Sequence, residues 1–283
     1  MRHISNRFTL GLTLLAALSC LFAAVAAAAT VTGTPGNDRL VGSPDADTIR
    51  ALNGNDRVRA RAGDDVVKGN RGRDRVDGNA GADTIDGGFG FDRLFGNLGN
   101  DTVNGNQGPD VVRGGQGDDR LIGGGGRPGR RSDRLHGGVG NDAINGGNGS
   151  DRISGGIGDD TSAGNAGNDR IFANLGTDTT FGGDGNDDLW ALHRGDVTAP
   201  GDTIGDSLTG GNGNDRFHTF DGEVDRISCG AGRDRVIGDI YDEIVDATPA
   251  DPNGSCEKVT RTQAESPREE DKTQSPPEDD REK

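Results

Sequence analysis

The chain has little of what an ordinary core is made from. Among 283 residues there are nine Phe, one Tyr, one Trp and one Met, and only 30% are hydrophobic. This excludes a conventional interior of large side chains, and composition alone leans towards disorder. Catalytic signatures are missing too. No G-x-S-x-G or H-E-x-x-H stretch occurs, and His136, His193 and His218 have no partner at a metal-ligand or triad spacing. The chain therefore reads as a non-enzyme.

Long apolar runs are lacking except for Phe8 to Val25, which follows Arg2 and Arg7 and precedes Ala26–Ala29. That reads as a secretory signal over residues 1–29, cleaved after Ala29. The remainder is then expected to be secreted, with no membrane span. Cysteine is sparse, with three in all. In an exported chain Cys229 and Cys256 are expected to pair as a disulfide. Positive charge is outnumbered, 31 Lys and Arg against 47 Asp and Glu, for a net −16. Such a balance argues against nucleic acid as a partner and in favour of a cation.

What the sequence has is 51 glycines and an acid on a fixed beat. Aspartate recurs every nine residues from Asp38 through Asp47 and Asp56 to Asp119, and again from Asp133 to Asp187. Two positions after it stands an aliphatic residue (Leu40, Ile49, Val58, Val67, Val76), and two positions before it usually a glycine (Gly54, Gly63, Gly72). The glycine-rich part cannot be helix and suits a tight turn with positive φ. The polar–aliphatic–polar part suits a very short strand with its middle side chain turned inward. Turns alternating with strands coil into a solenoid, so the fold is expected to be all-β. The residue after the aspartate is Arg39, Arg57, Arg75 and Arg93 in alternate units, with Thr48, Val66, Thr84 and Thr102 between them. This alternation predicts a coil of two units, with an arginine ladder on one sheet and threonine or small residues on the other.

Stacked coils lie about 4.8 Å apart. Neighbouring aspartates at that spacing repel by about 1 kcal/mol in water, or about 3.5 kcal/mol at an effective dielectric of 20. An acid ladder of this kind calls for a hard cation. Carboxylates and turn carbonyls are oxygen donors suited to Ca²⁺. Mg²⁺ holds its water too tightly, and Zn²⁺ would want His or Cys.

The phrase G-G-x-G-x-D-x-U-x, complete in Gly137–Asn145 and Gly146–Ser154, resembles the repeats-in-toxin, or hemolysin-type, calcium-binding nonapeptide. The resemblance covers roughly residues 33–246 and implies a right-handed parallel β-roll that holds several Ca²⁺ ions between consecutive turns. It implies as ligands Asp38, Asp56, Asp65, Asp74, Asp83, Asp92, Asp101, Asp110, Asp119, Asp133, Asp142, Asp151, Asp160, Asp169, Asp178, Asp187, Asp215 and Asp234. Turn carbonyls join them, among them those of Gly137, Gly140, Gly155 and Gly158. The turns Gly137–Asp142 and Gly155–Asp160 are expected to face each other across one ion. Gly-Asn or Ala-x replaces Gly-Gly in many units, and Pro44 and Asp45 alter the second turn, where sites are expected to be weak or empty. Ser162 and Thr180 stand at inward positions, so the core is expected to thin there.

The organisation read from the beat is a main roll over residues 33–190 with an insertion at 123–131. An irregular connection at 191–209 follows, spanning about two repeats with one extra residue. Shorter, degenerate repeats occupy 210–261, and 262–283 reads as a disordered acidic tail. Phe172, Phe181 and Trp190 are expected to pack the end of the first roll. The arginine ladder either pairs with nearby acids or offers a face to an anionic cell-surface polymer. Two further roles stay open beside calcium binding: an adhesin or wall-binding spacer stiffened by calcium, and a hydrolase fragment.

Overall fold

The computed structural model describes residues 28–125, 132–191, 205–245 and 254–262. The expected signal over residues 1–29 lies outside them except for its last two residues. Residues 126–131 of the expected insertion and the tail from residue 263 lie outside them as well. Among the described residues all regular structure is strand: twenty-four short segments in two parallel twelve-stranded sheets, with alternate strands going to alternate sheets. Each strand pairs with the strand two places along the chain, so that Arg57 lies beside Arg75 and Thr84 beside Thr102. The ladder continues past the strand ends, as where the Arg75 N–H donates to the Asp56 carbonyl at 2.9 Å. The fold is thus a parallel β-solenoid, as expected.

The two sheets carry different outer coats. Strands beginning at Arg57, Arg75, Arg93, Arg134, Arg152 and Arg170 lie in one sheet, and those beginning at Thr84, Thr102, Thr161 and Thr179 in the other. Inward side chains from both sheets form the core: Ile49, Val58, Val67, Val76, Ile85, Leu94 and their successors to Ile171 are buried. Each is one aliphatic side chain, worth about 1.5–3 kcal/mol. A second cluster starts at Leu189 and includes Phe217, Ile227 and the cystine. Ser162 and Thr180, adjacent in register, stand in the same inward column and are themselves buried.

Turn chemistry explains the departures from Gly-Gly. The residue four places before the repeat aspartate has a left-handed backbone, for example Gly156 at φ 133° and Asn79 at φ 82°. Asparagine tolerates that region, so Gly-Asn replaces Gly-Gly without changing the turn. Leu52 and Arg61 occupy the same place at φ 79° and 93°, which is costly for their side chains.

The first insertion leaves the stack intact, since Val111 pairs with Arg134 and Arg120 with Ala143. At residues 191–209 the fold differs from the reading of about two repeats. Thr179 pairs directly with Ser207, and Asp188 with Arg216, twenty-eight residues on in each case instead of eighteen. One unit carries the extra length, and Ser207–Thr209 already belong to the strand Ser207–Asn212. The sheets therefore run on without a break, because the ladder groups on each side keep their register. The aromatic group also differs from expectation. Phe172 stacks on Trp190 (centroids 4.8 Å) and Trp190 on His218 (4.4 Å), all on the arginine sheet and continuing past the insertion. Phe181 lies on the opposite sheet and is 43% exposed. Cys229 and Cys256 form a disulfide, with Cα atoms 5.3 Å apart.

Candidate metal centre

The repeat aspartate closes each turn just before a strand begins, so the sheet register stacks the aspartates. Two files result. One runs through Asp38, Asp56, Asp74, Asp92, Asp110, Asp133, Asp151, Asp169, Asp187, Asp215 and Asp234. The other runs through Asp47, Asp65, Asp83, Asp101, Asp119, Asp142, Asp160, Asp178, Asp206 and Asp225. In both, the backbone N–H of one aspartate donates to Oδ1 of the aspartate in the next coil, at 2.6–2.9 Å. Glu257, beside Cys256, ends the first file by accepting the Asp234 N–H at 2.5 Å. Sequence reading missed this glutamate because it lies off the nine-residue beat.

Oδ1 is therefore committed to the backbone, and Oδ2 is the free valence. In Asp56, Asp65, Asp74, Asp83, Asp92, Asp101, Asp110, Asp119, Asp133, Asp142, Asp151, Asp160, Asp169, Asp187, Asp215 and Asp234 the Oδ2 atom is buried and has no hydrogen-bond partner. Asp178 holds the same place in its turn, its Oδ1 accepting the Asp160 N–H. The first members of the two files behave differently. Asp38, counted among the expected ligands, accepts the N–H and hydroxyl of Thr34. Asp47 accepts N–H groups from Ala29 and Ser43 and the Ser43 hydroxyl. These two carboxylates are satisfied by protein donors, whereas the sixteen Oδ2 atoms named above are not.

Glycine makes room for the convergence of oxygens. Where a glycine stands five places before the aspartate it lies against Oδ2 and, in most turns, against a carbonyl of the next coil; Ala51, Ala60, Ala173 and Cys229 take that place before Asp56, Asp65, Asp178 and Asp234. At Gly155 a Cβ would meet Asp160 Oδ2 and, at 2.8 Å, the carbonyl of Ala173; at Gly137 it would meet Asp142 Oδ2 and, at 2.6 Å, the carbonyl of Gly155. The turns Gly137–Asp142 and Gly155–Asp160 stack directly, with Gly138 beside Gly156 and the Gly140 carbonyl against Gly158. The Asp142 N–H reaches Asp160 Oδ1 at 2.8 Å.

The electrostatics follow. Burial pushes Asp92 and Asp133 up to about 7 and Asp110 and Asp160 up to about 8; the neighbour's N–H pulls each down, and adjacent carboxylates raise it again. In Asp47 burial is outweighed by the donors from Ala29 and Ser43, and the carboxyl is held below its ordinary value. Buried anionic oxygens without partners are costly unless protonated or bound to a cation. A donor set of carboxylate and carbonyl oxygens, with neither His nor Cys, fits a hard ion such as Ca²⁺.

Two parallel sheets joined by glycine turns with an inward acid define a calcium-type repeat solenoid. The comparison with known families agrees. Residues 32–67, 60–94, 95–127, 129–162, 154–189 and 201–236 match the family described as RTX calcium-binding nonapeptide repeat (4 copies). Together these stretches cover more than half of the chain, which belongs to that family. A search of curated proteins found no match.

Sequence reading also passed over Asp221 and Glu223. With Asp225 they are buried and offer oxygens within 4.8 Å of one another. The available signal was the ten-residue step from Asp215 to Asp225, with acids standing where a turn is normally glycine-rich.

Proposed function

We propose that the chain is a secreted calcium-binding repeat protein whose roll is ordered by Ca²⁺. The observation that carries this reading is the run of buried, unpartnered Oδ2 atoms, repeated turn after turn beside a backbone carbonyl. The repeat aspartates from Asp56 onward, Asp225 apart, and the turn carbonyls would hold the ions. Bound Ca²⁺ supplies positive charge that cancels carboxylate repulsion. Oδ1 holds each carboxylate in place through the neighbouring N–H, and in turns such as Gly137–Asp142 and Gly155–Asp160 the glycine five residues earlier leaves the approach open. Ligand binding to the folded form alone stabilises it, so folding and ion binding are coupled.

Export is supported by the apolar stretch before Thr30 and by the disulfide. No helix among the described residues is long and apolar enough to cross a membrane. A binding role without catalysis is supported by the places of two histidines: His136 Nδ1 lies 3.2 Å from Ser154 Oγ, and His218 stacks on Trp190. The test is a count of Ca²⁺ bound per chain by equilibrium dialysis. Several ions per chain, reduced by Asp142→Asn and Asp160→Asn, is the expected result; no bound Ca²⁺ refutes the reading.

A second reading, as a spacer on an anionic surface polymer, is favoured by the arginine sheet. Arg39, Arg57, Arg73, Arg75 and Arg93 line one groove of about 900 Å³. Some cations of that sheet are already engaged, as in Arg75 with Asp77 at 3.1 Å and Arg170 with Asp188 at 3.5 Å. Retention of the calcium-loaded chain on an anionic polymer column, lost in an Arg57/Arg75/Arg93 triple alanine variant, is the expected outcome. Equal retention of that variant excludes the reading.

A further inference from the structure

The last coils depart from the repeat chemistry. In a regular turn the only acid facing the interior is the aspartate that closes it. In Phe220–Asp225 the residues four and two places before that aspartate are Asp221 and Glu223, and Gly222 takes the positive φ at 105°. All three acids are buried, and their oxygens come within 4.8 Å of one another.

The next coil adds to them. Glu243 pairs with Arg226, which stacks the turn ending at Asp242 on the one ending at Asp225. Asp239 Oδ2 accepts the Gly222 N–H at 2.8 Å and ties the two turns together. Two carboxylate oxygens are left over. Asp225 is fully buried; its Oδ1 accepts the Asp206 N–H at 2.8 Å, and its Oδ2 has no hydrogen-bond partner. Asp242 is 8% exposed; its Oδ2 takes the Thr219 hydroxyl and the Asp239 N–H, and its Oδ1 has no partner. The charges of Asp221, Asp206 and Asp242 all act on Asp225.

We propose that Asp221, Glu223, Asp225 and Asp242 form a separate site for one hard divalent cation, filled at lower free Ca²⁺ than the repeat turns. Four carboxylates from two turns replace the one-carboxylate-per-turn pattern of the repeats. Affinity for Ca²⁺ rises with the number of charged ligands and the rigidity of the site, and the tie from Asp239 to Gly222 supplies rigidity. The site uses no repeat glycine and stands whether or not the repeat turns bind calcium.

The only tyrosine of the chain, Tyr241, adjoins Asp242 and gives a local probe. Tb³⁺ titrated into the calcium-free chain is expected to give tyrosine-sensitised emission that saturates at the first equivalent. Ca²⁺ should displace it, and Tyr241→Phe should remove the emission while calorimetry still detects the first ion. In the Asp221→Asn/Glu223→Gln variant the first phase should move to about tenfold higher ion. The Ca²⁺-dependent β signal of the repeats should persist in that variant, which separates this proposal from the function of the repeats. If the wild-type chain gives no such emission before the repeats load, the proposal is overturned without recourse to any variant. It is overturned equally if the variant melts higher in EDTA and keeps the first phase unchanged, since the acids would then be neutralised by protons.

Discussion

Asp160 Oδ1 accepts the N–H of Asp142 at 2.8 Å, while its Oδ2, equally buried, accepts none. One oxygen of the carboxylate belongs to the backbone ladder and the other is available to an ion. This division makes the acid file both a structural spine and a candidate calcium column.

Asp160→Asn separates the two uses. The amide oxygen keeps the bond to Asp142 and the charge is lost. We expect fewer Ca²⁺ ions per chain by equilibrium dialysis, together with a higher melting temperature in EDTA. Asp47→Asn, where Ala29 and Ser43 already satisfy the carboxylate, should leave the ion count unchanged.

The metal-free fold should respond to acid in an unusual direction. Carboxyls raised to between about 6 and about 8, such as Asp74, Asp92 and Asp110, take up protons on folding at any pH between their ordinary 3.8 and the raised value. Stability of the calcium-free roll therefore rises as pH falls from about 8 towards 4, and no further gain follows below the ordinary value. Circular dichroism in EDTA should show β signal growing on acidification. Competition with protons should also shift the Ca²⁺ midpoint upward as pH falls.

The period, the inward column and the two coats were legible in the sequence because each depends on spacing alone. Asp38 to Asp119 and Ile49 to Leu121 needed no tertiary information, and the arginine alternation pointed to strand partners eighteen residues apart, as Arg57 and Arg75 are. Less was legible where backbone geometry decides. Asn79 serves as well as Gly88 because both adopt left-handed φ, so Gly-Asn keeps the turn that Gly-Gly makes. The stretch at 191–209 was legible as irregular, and its length counts as about two repeats with one extra residue. Only the pairing of Thr179 with Ser207 reveals a single enlarged unit. The engagement of Asp38 by Thr34 is a contact inside one turn, and the gathering of Asp221 and Glu223 with Asp242 joins two turns; no periodic pattern contains either.

Gly167→Ala tests the turn geometry. Gly167 has φ 143°, and a Cβ there would collide with the Gly149 carbonyl of the previous coil. A loss of at least about 2 kcal/mol in denaturant unfolding with Ca²⁺ present is expected.

Cystine reduction should loosen the C-terminal coils first. Cys229 and Cys256 are 27 residues apart, and closing such a loop contributes about 3.5 kcal/mol in the chain-entropy treatment. The Cys229→Ser/Cys256→Ser variant should melt at lower temperature with calcium bound, followed by differential scanning calorimetry. It should also release Glu257 from Asp234.

Trp190, the only tryptophan, sits between Phe172 and His218 where the sheet crosses the enlarged unit. Because both sheets are continuous, its fluorescence should change over the same Ca²⁺ range as the β signal. A separate, later transition would mean that the enlarged unit uncouples Trp190 from the repeats before it.

The most direct test of the central claim is a far-ultraviolet circular dichroism titration of the chain with Ca²⁺, with Mg²⁺ as control. The account predicts a weakly structured chain in EDTA at neutral pH and a cooperative gain of β signal with Ca²⁺ alone. A full β spectrum in EDTA at neutral pH, unchanged by Ca²⁺, would contradict it, since the buried Oδ2 file would then be tolerated without an ion.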